Sequence, residues 1–269
     1  MDYLLSIIFG AVQGLTEFLP ISSSGHLVIL HQIFPVSIFN SLGFDVALHI
    51  GTLLALIIYF FRDLAKYISA FFRSFASWEY QTNSDQRLAW LLIVSIIPAG
   101  LAAIIFSEAI ETTLRSPIIV ASMLIIGGLL FFLVEWLSRQ NIQLNQIGFG
   151  RAILVAIAQA LALIPGVSRS GVTITAGMAM NLDRESATRF SFLMAIPIIF
   201  LAGAKKLYDL AGVGLNSQEV IMYVLGTIAA LIFGLLAIRL FLQFVKKFSL
   251  VSFGVYRIIL AVAVLFFLA

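Results

Sequence analysis

Leu88–Phe106 and Val220–Ile238 each run for nineteen residues without a charge, and no other property of the chain restricts its fold as strongly. About 20 apolar helical residues cross a hydrocarbon core roughly 30 Å thick. Lipid offers no hydrogen bonds, so backbone amides must be paired inside the protein and helices are expected. Composition agrees, with 61% of the 269 residues hydrophobic and 11% charged, against about 45–50% and 25% in soluble domains. The expectation is an all-α integral membrane protein forming one polytopic domain over residues 1–269. Cysteine is absent, which excludes disulfides and thiolate chemistry. Asp2 stands where a secretory leader would be basic and no small-residue cleavage site follows, so no cleavable signal peptide is expected. A net charge of +3 is too small to point to nucleic acid.

Six spans are predicted, at Leu42–Phe61, Leu88–Phe106, Pro117–Leu137, Thr188–Ala204, Val220–Ile238 and Leu250–Ala269. Proline opens the third at a favourable helix-starting position. Two further segments are apolar but interrupted. Tyr3–Val12 and Leu27–Phe34 flank the polar run QGLTEFLPISSSGH, and Ile153–Ile164 and Val172–Met180 flank PGVSRSG. Short apolar pieces around a polar break read as re-entrant helix-loop-helix hairpins. Between the first two spans, Leu64, Ile68, Phe71, Phe72 and Phe75 recur at helical spacing, the pattern of an interfacial amphipathic helix. Trp78–Gln86 reads as a flexible loop, and Ser107–Ser116 as a short acidic connection carrying Glu108 and Glu111.

A shift of 146 residues lays Gln13 on Gln159, Ser22 on Ser168, Ser24 on Ser170, Gly25 on Gly171, Phe44 on Phe190 and Ile50 on Ile196, all in one register. Three spans separate the two broken segments, an odd number, so the copies enter the membrane from opposite faces. That is an inverted-topology repeat with halves at about 1–137 and 150–269. The copies diverge where Glu17 meets Leu163 and Ser23 meets Arg169, which suggests acid and base in one loop and a cation in the other. With Arg62–Arg87 in the cytoplasm, that side receives ten basic residues and the other receives Arg115, Lys205 and Lys206. The positive-inside rule then puts both termini and the mouth of the first hairpin on the extracytoplasmic side.

Charges inside a bilayer cost about 2.5–3.5 kcal/mol or more, so Glu17 and Arg169 are the first suspects for function. Gln13 and Glu17 lie four apart on one helical face. Ser22, Ser23 and Ser24 sit at the first break, with Gly25 and His26 at the start of the next helix, a natural anion site. The second loop offers Ser168, Arg169, Ser170 and Thr173 beside Gly166 and Gly171. Hydroxyls, close backbone and a bidentate guanidinium suit a phosphate or diphosphate. Asp45 and His49 share a helical face and read first as a structural pair, with a part in catalysis or metal binding as the alternative. Arg239 and Arg257 read as end-of-span anchors, and Glu135 as an end-of-helix charge.

QGLTEFLPISSSGH at 13–26, PGVSRSGVT at 165–173 and FDVALHIGT at 44–52 resemble the undecaprenyl-diphosphate phosphatase family, also called the bacitracin-resistance protein family, and the likeness covers essentially the whole chain. The resemblance implies a bacterial plasma-membrane enzyme that hydrolyses a C55 lipid diphosphate to its monophosphate, recycling the carrier for cell-wall synthesis. It also implies two re-entrant hairpins and an active site open to the periplasmic side. The family's acidic motif falls on Gln13 and Glu17, its serine on Ser23, its histidine on His26 and its arginine on Arg169. Some members carry a second glutamate where this chain has Gln13, which leaves Glu17 as the essential carboxylate and weakens the case for a two-carboxylate metal site. The expected catalytic set is Glu17, Ser23, His26 and Arg169. The expected diphosphate contacts are Gln13, Ser22, Ser24, Gly25, Ser168, Ser170 and Thr173. A divalent cation, Mg²⁺ or Ca²⁺, is expected to bridge diphosphate oxygens, with Glu17 the one candidate protein ligand and no organic cofactor. The expected partners are the polyprenyl diphosphate and the bilayer. The oligomeric state stays open, a homodimer being one option.

The rival class is a transporter or flippase of a prenyl-phosphate lipid, since inverted repeats with broken helices also build transporters. The phosphatidic-acid phosphatase signature fails: Ser74 follows Lys66 and Arg73 where that motif has proline, and Thr175 stands where its histidine belongs.

Overall fold

The computed structural model describes residues 1–34, 42–106, 114, 116–210 and 216–268. Glu108, Glu111 and Arg115 lie outside that set. Among the described residues there are twelve α-helices and no strand beyond one isolated bridge between Ile142 and Leu182. The helices are α1 (Asp2–Phe18), α2 (Ser23–Ile33), α3 (Leu42–Tyr59), α4 (Phe61–Ser74), α5 (Ser84–Val94), α6 (Ile96–Ile105), α7 (Pro117–Leu137), α8 (Phe149–Ala160), α9 (Arg169–Ala179), α10 (Arg184–Leu210), α11 (Ser217–Val245) and α12 (Val251–Leu268).

Among the described residues, four stretches are long and apolar enough to cross a bilayer: Ser84–Ile105, Pro117–Leu137, Arg184–Lys205 and Ser217–Val245. Two of the predicted spans are shorter. The first ends at Tyr59, where the chain turns by 77° into α4, and the last is the apolar helix Val251–Phe267. The predicted span Leu88–Phe106 is interrupted at Ser95, which ends α5 and precedes α6. Pro98 explains the interruption, since its ring lacks an N–H and crowds the carbonyl one turn earlier. Pro117–Leu137 matches its predicted bounds, capped by the Ser116 hydroxyl accepting from Ile119 N at 3.3 Å.

Close helix packing rests on small residues, as expected where lipid supplies no hydrophobic drive between helices. Gly10 and Gly14 of α1 meet Gly226, Ala230 and Gly234 of α11, and a Cβ on Gly10 would lie 2.2 Å from the Gly226 carbonyl oxygen. Gly128 of α7 and Gly254 of α12 make the same kind of approach. Between these contacts runs a buried aromatic row, Phe18 against Phe192 and Phe192 against Phe60 and Phe241. The α4 helix presents Ile68 and Phe72 outward, with Phe75 exposed just past its end, while Tyr67 and Ala70 are buried, as an interfacial helix would. The loop after it is tied by local contacts. Gln86 accepts from Glu79 N and donates to Ser77 O, and Trp78 stacks on Tyr80. Glu135 is more than an end charge, because it accepts from Arg184 of α10 and from Leu250 N before α12.

Candidate active site

Both polar breaks fold into the same local structure. Ser22 (φ 71°, ψ 95°) and Ser168 (φ 67°, ψ 113°) adopt a backbone conformation that L-residues seldom populate. Each then caps the helix that follows, its hydroxyl accepting from Gly25 N at 3.3 Å or Gly171 N at 3.1 Å. Each hydroxyl also contacts the serine two residues on, Ser22 with Ser24 at 3.1 Å and Ser168 with Ser170 at 3.2 Å. A serine N-cap satisfies one of the unpaired N–H groups at a helix start, and the rest remain available to an anion. Gly166 approaches the second break with φ +92° and no room for a Cβ, which would fall 2.5 Å from Val120 O.

The breaks meet at Glu17. Its side chain is 6% exposed and ion-paired with Arg169 of the other break. The second carboxylate oxygen accepts from the Ser23 hydroxyl at 2.6 Å and from Gln13 Nε2 at 3.1 Å, and His49 Nε2 stands 3.9 Å from it. Ser170 donates from the second break to the carbonyl of Leu19 in the first, at 3.2 Å. Glu17, Ser22, Ser23, Ser24, Ser168 and Arg169 line a cavity of about 460 Å³ whose remaining wall is mainly aliphatic, including Val46, Ala99, Leu163, Ile198 and Ile199. A polar floor under an apolar wall fits a headgroup with a hydrocarbon tail.

The other expected site residues stand behind that lining. Gln13 is fully buried and reaches the site only through Glu17. Gly25 and Ser170 hold the two loops. Thr173 is fully buried, bonded to Arg169 O at 2.7 Å and Ser191 Oγ at 2.6 Å. His26 turns away from the cavity, with Nδ1 2.8 Å from Ser22 O and Nε2 2.7 Å from the Tyr256 hydroxyl.

Sequence reasoning undervalued three residues. Asp45 and His49 both line the cavity and do not pair with each other's side chains. Asp45 faces His31 at 3.5 Å, and His49 faces Glu17. Arg257 is no end-of-span anchor but is fully buried. It donates to Met123 O and Leu124 O of α7, to Pro20 O in the first break and to Gly166 O and Val167 O in the second. Its guanidinium fits because Gly127 has no side chain.

A resident metal fits poorly here. Among the described residues no three His, Asp or Glu side chains cluster as ligands, and both Glu17 oxygens are engaged by Arg169, Ser23 and Gln13.

Fold and site together define a multi-pass, all-helical membrane protein with carboxylate, hydroxyls and guanidinium gathered at one cavity. The family model of bacitracin resistance protein BacA matches residues 6–263, and the chain belongs to that family. It is 43% identical to an undecaprenyl-diphosphatase of Rubrobacter xylanophilus, over 98% of this chain and 97% of that one. It is 41% identical to an undecaprenyl-diphosphatase of Nitrosococcus oceani over 100% and 99%. A third undecaprenyl-diphosphatase, from Thermodesulfovibrio yellowstonii, is 43% identical over 98% and 97%.

Proposed function

We propose that this protein hydrolyses undecaprenyl diphosphate to undecaprenyl phosphate and inorganic phosphate, returning the lipid carrier to cell-wall synthesis and conferring resistance to bacitracin. The observation that carries the reading is the Ser23–Glu17–Arg169 cluster, which sits on the cavity where two broken segments meet. Arg169 and the first N–H groups of α2 and α9 hold the diphosphate and offset charge on the transferred phosphoryl, the largest contribution in such reactions. Ser23 attacks the terminal phosphorus or positions the water that does, and Glu17, 2.6 Å away, receives the proton. His26 holds the first turn of α2 through Ser22 O and so orients Ser23. The aliphatic wall takes the start of the prenyl chain. A divalent cation, Mg²⁺ or Ca²⁺, arrives on the diphosphate rather than residing in the protein.

The architecture we infer is six spans and two re-entrant hairpins in an inverted repeat, in the bacterial plasma membrane. The matched geometry of Ser22 and Ser168, 146 positions apart, supports the duplication. The ten-to-three distribution of basic residues supports termini and cavity mouth on the extracytoplasmic side.

The test is phosphate release from undecaprenyl diphosphate by purified protein in detergent, where transport has no meaning. The expected result is turnover by the parent, with losses of at least about a hundredfold in Glu17→Gln, Ser23→Ala and Arg169→Ala. Near-normal rates in all three variants would remove the site assignment, and an inactive parent would remove the function.

A further inference from the structure

His26 and His49 commit their ring nitrogens differently. In both, Nδ1 lies 2.8 Å from a backbone carbonyl, Ser22 O for His26 and Asp45 O for His49. A carbonyl only accepts, so Nδ1 carries the hydrogen and the neutral ring keeps its lone pair on Nε2. For His26 that lone pair accepts from the Tyr256 hydroxyl at 2.7 Å, with the rings stacked at 7°, outside the cavity. For His49 it faces the cavity and lies 3.9 Å from the Glu17 oxygen that Ser23 donates to.

Glu17 by itself is an awkward final holder of a proton. If it stayed protonated, Arg169 would lose its ion pair in a site where the two side chains are 6% and 19% exposed, and a buried charge without its partner is costly. Gln13, the other side chain on that oxygen, cannot accept a proton from it. His49 can.

We propose that His49 is a catalytic residue, the group that takes the proton of phosphoryl transfer from Glu17; this rests on the hydrolase reading above. The attacking hydroxyl forms its O–P bond as its proton passes to Glu17 Oε2 and on to His49 Nε2. The bridging P–O bond breaks with its electron pair going to the lipid phosphate. The imidazolium returns the proton to the departing lipid phosphate, so that Glu17 is anionic opposite Arg169 before and after the transfer. Where Ser23 is the attacking group, a water then attacks the phosphoserine, its proton taking the same route through Glu17 to His49 as the P–O bond to Ser23 breaks, and the serine oxygen takes that proton back as inorganic phosphate leaves. The titratable groups that line the cavity with His49 are Glu17, Asp45 and Arg169, and Asp45 itself faces His31.

The test compares the parent with His49→Ala and His49→Gln, all purified in detergent, by phosphate release from undecaprenyl diphosphate at pH 5.5–8.5. Glutamine can keep a donor toward Asp45 O but has no basic nitrogen. Both variants should lose about a hundredfold in kcat, the usual scale of a general acid–base group, with KM changed less than threefold. Added imidazole should restore His49→Ala at least tenfold and leave His49→Gln unchanged, because only alanine opens space for it. A kcat within fivefold of the parent in either variant would overturn the proposal. So would a loss that imidazole does not rescue and that leaves the shape of the pH profile unchanged, since that is a packing defect. A parent that releases no phosphate would overturn the hydrolase reading and this one with it.

Discussion

Glu17 and Arg169 are 152 positions apart in the chain and form an ion pair across the two helix breaks. The pair does two jobs at once, joining the loops and setting the charge at the cavity floor, and these can be separated. Arg169→Ala leaves a buried carboxylate without its counter-charge, a loss of about 3–5 kcal/mol. Glu17→Gln combined with Arg169→Met removes both charges and should recover much of that stability. Thermal unfolding in detergent is expected to rank the double variant above Arg169→Ala. Phosphate release should be lost in both. Equal melting temperatures for the two would mean that the pair contributes to chemistry alone.

In the reaction proposed above with Ser23 as the attacking group, its 2.6 Å bond to Glu17 aligns the hydroxyl and gives its proton somewhere to go. Acid quenching of the parent during turnover with terminally labelled substrate should therefore trap label on Ser23, found by peptide mapping. Ser23→Ala should trap none and turn over at least about a hundredfold more slowly. Full turnover by Ser23→Ala would assign the attack to water and leave Ser23 a bystander.

Much of this was legible in the sequence where local rules decide the outcome. The polar breaks announced themselves because lipid tolerates unpaired backbone only where protein covers it. The 146-residue register places Ser22 and Ser168 in equivalent roles, and their φ angles match. What stayed hidden depends on side-chain direction and distant neighbours. His26 lies beside the expected nucleophile in sequence, yet Tyr256, 230 positions away, draws its ring out of the cavity. His49 looked like half of a helical pair, and only the packing of α1 against α3 places it beside Glu17. Arg239 and Arg257 sit alike near the ends of apolar runs, and hydropathy cannot separate an arginine that snorkels from one that turns inward.

That last distinction is measurable. Arg257 satisfies carbonyls of α7 and of both breaks, whereas Arg239 is exposed on α11. Arg257→Met would leave several buried acceptors unpaired at about 1–3 kcal/mol each. A loss of at least about 3 kcal/mol is expected in detergent unfolding, together with loss of activity as the two loops separate. Arg239→Met should stay within about 0.5 kcal/mol, as surface substitutions do. Similar small effects for both would return Arg257 to the status of an anchor.

Helix packing makes an equally sharp contrast. Glycine in a helix interior is about 1 kcal/mol less favourable than alanine, so Gly→Ala stabilises wherever the methyl has room. At Gly100 of α6 an added methyl would have no neighbouring atom within 4 Å, whereas at Gly10 it would meet Gly226 O at 2.2 Å and Ala229 Cβ at 2.8 Å. The first of these obstacles is backbone, so α1 and α11 would have to move apart, and overpacking of this kind costs about 1–3 kcal/mol or more. Since α1 carries Gln13 and Glu17 one and two turns further on, the displacement reaches the cavity floor. Gly100→Ala is expected to raise the melting temperature slightly and leave turnover unchanged, while Gly10→Ala lowers both. A Gly10→Ala protein as stable and active as the parent would show that α1 does not need this close approach to hold Glu17 in place.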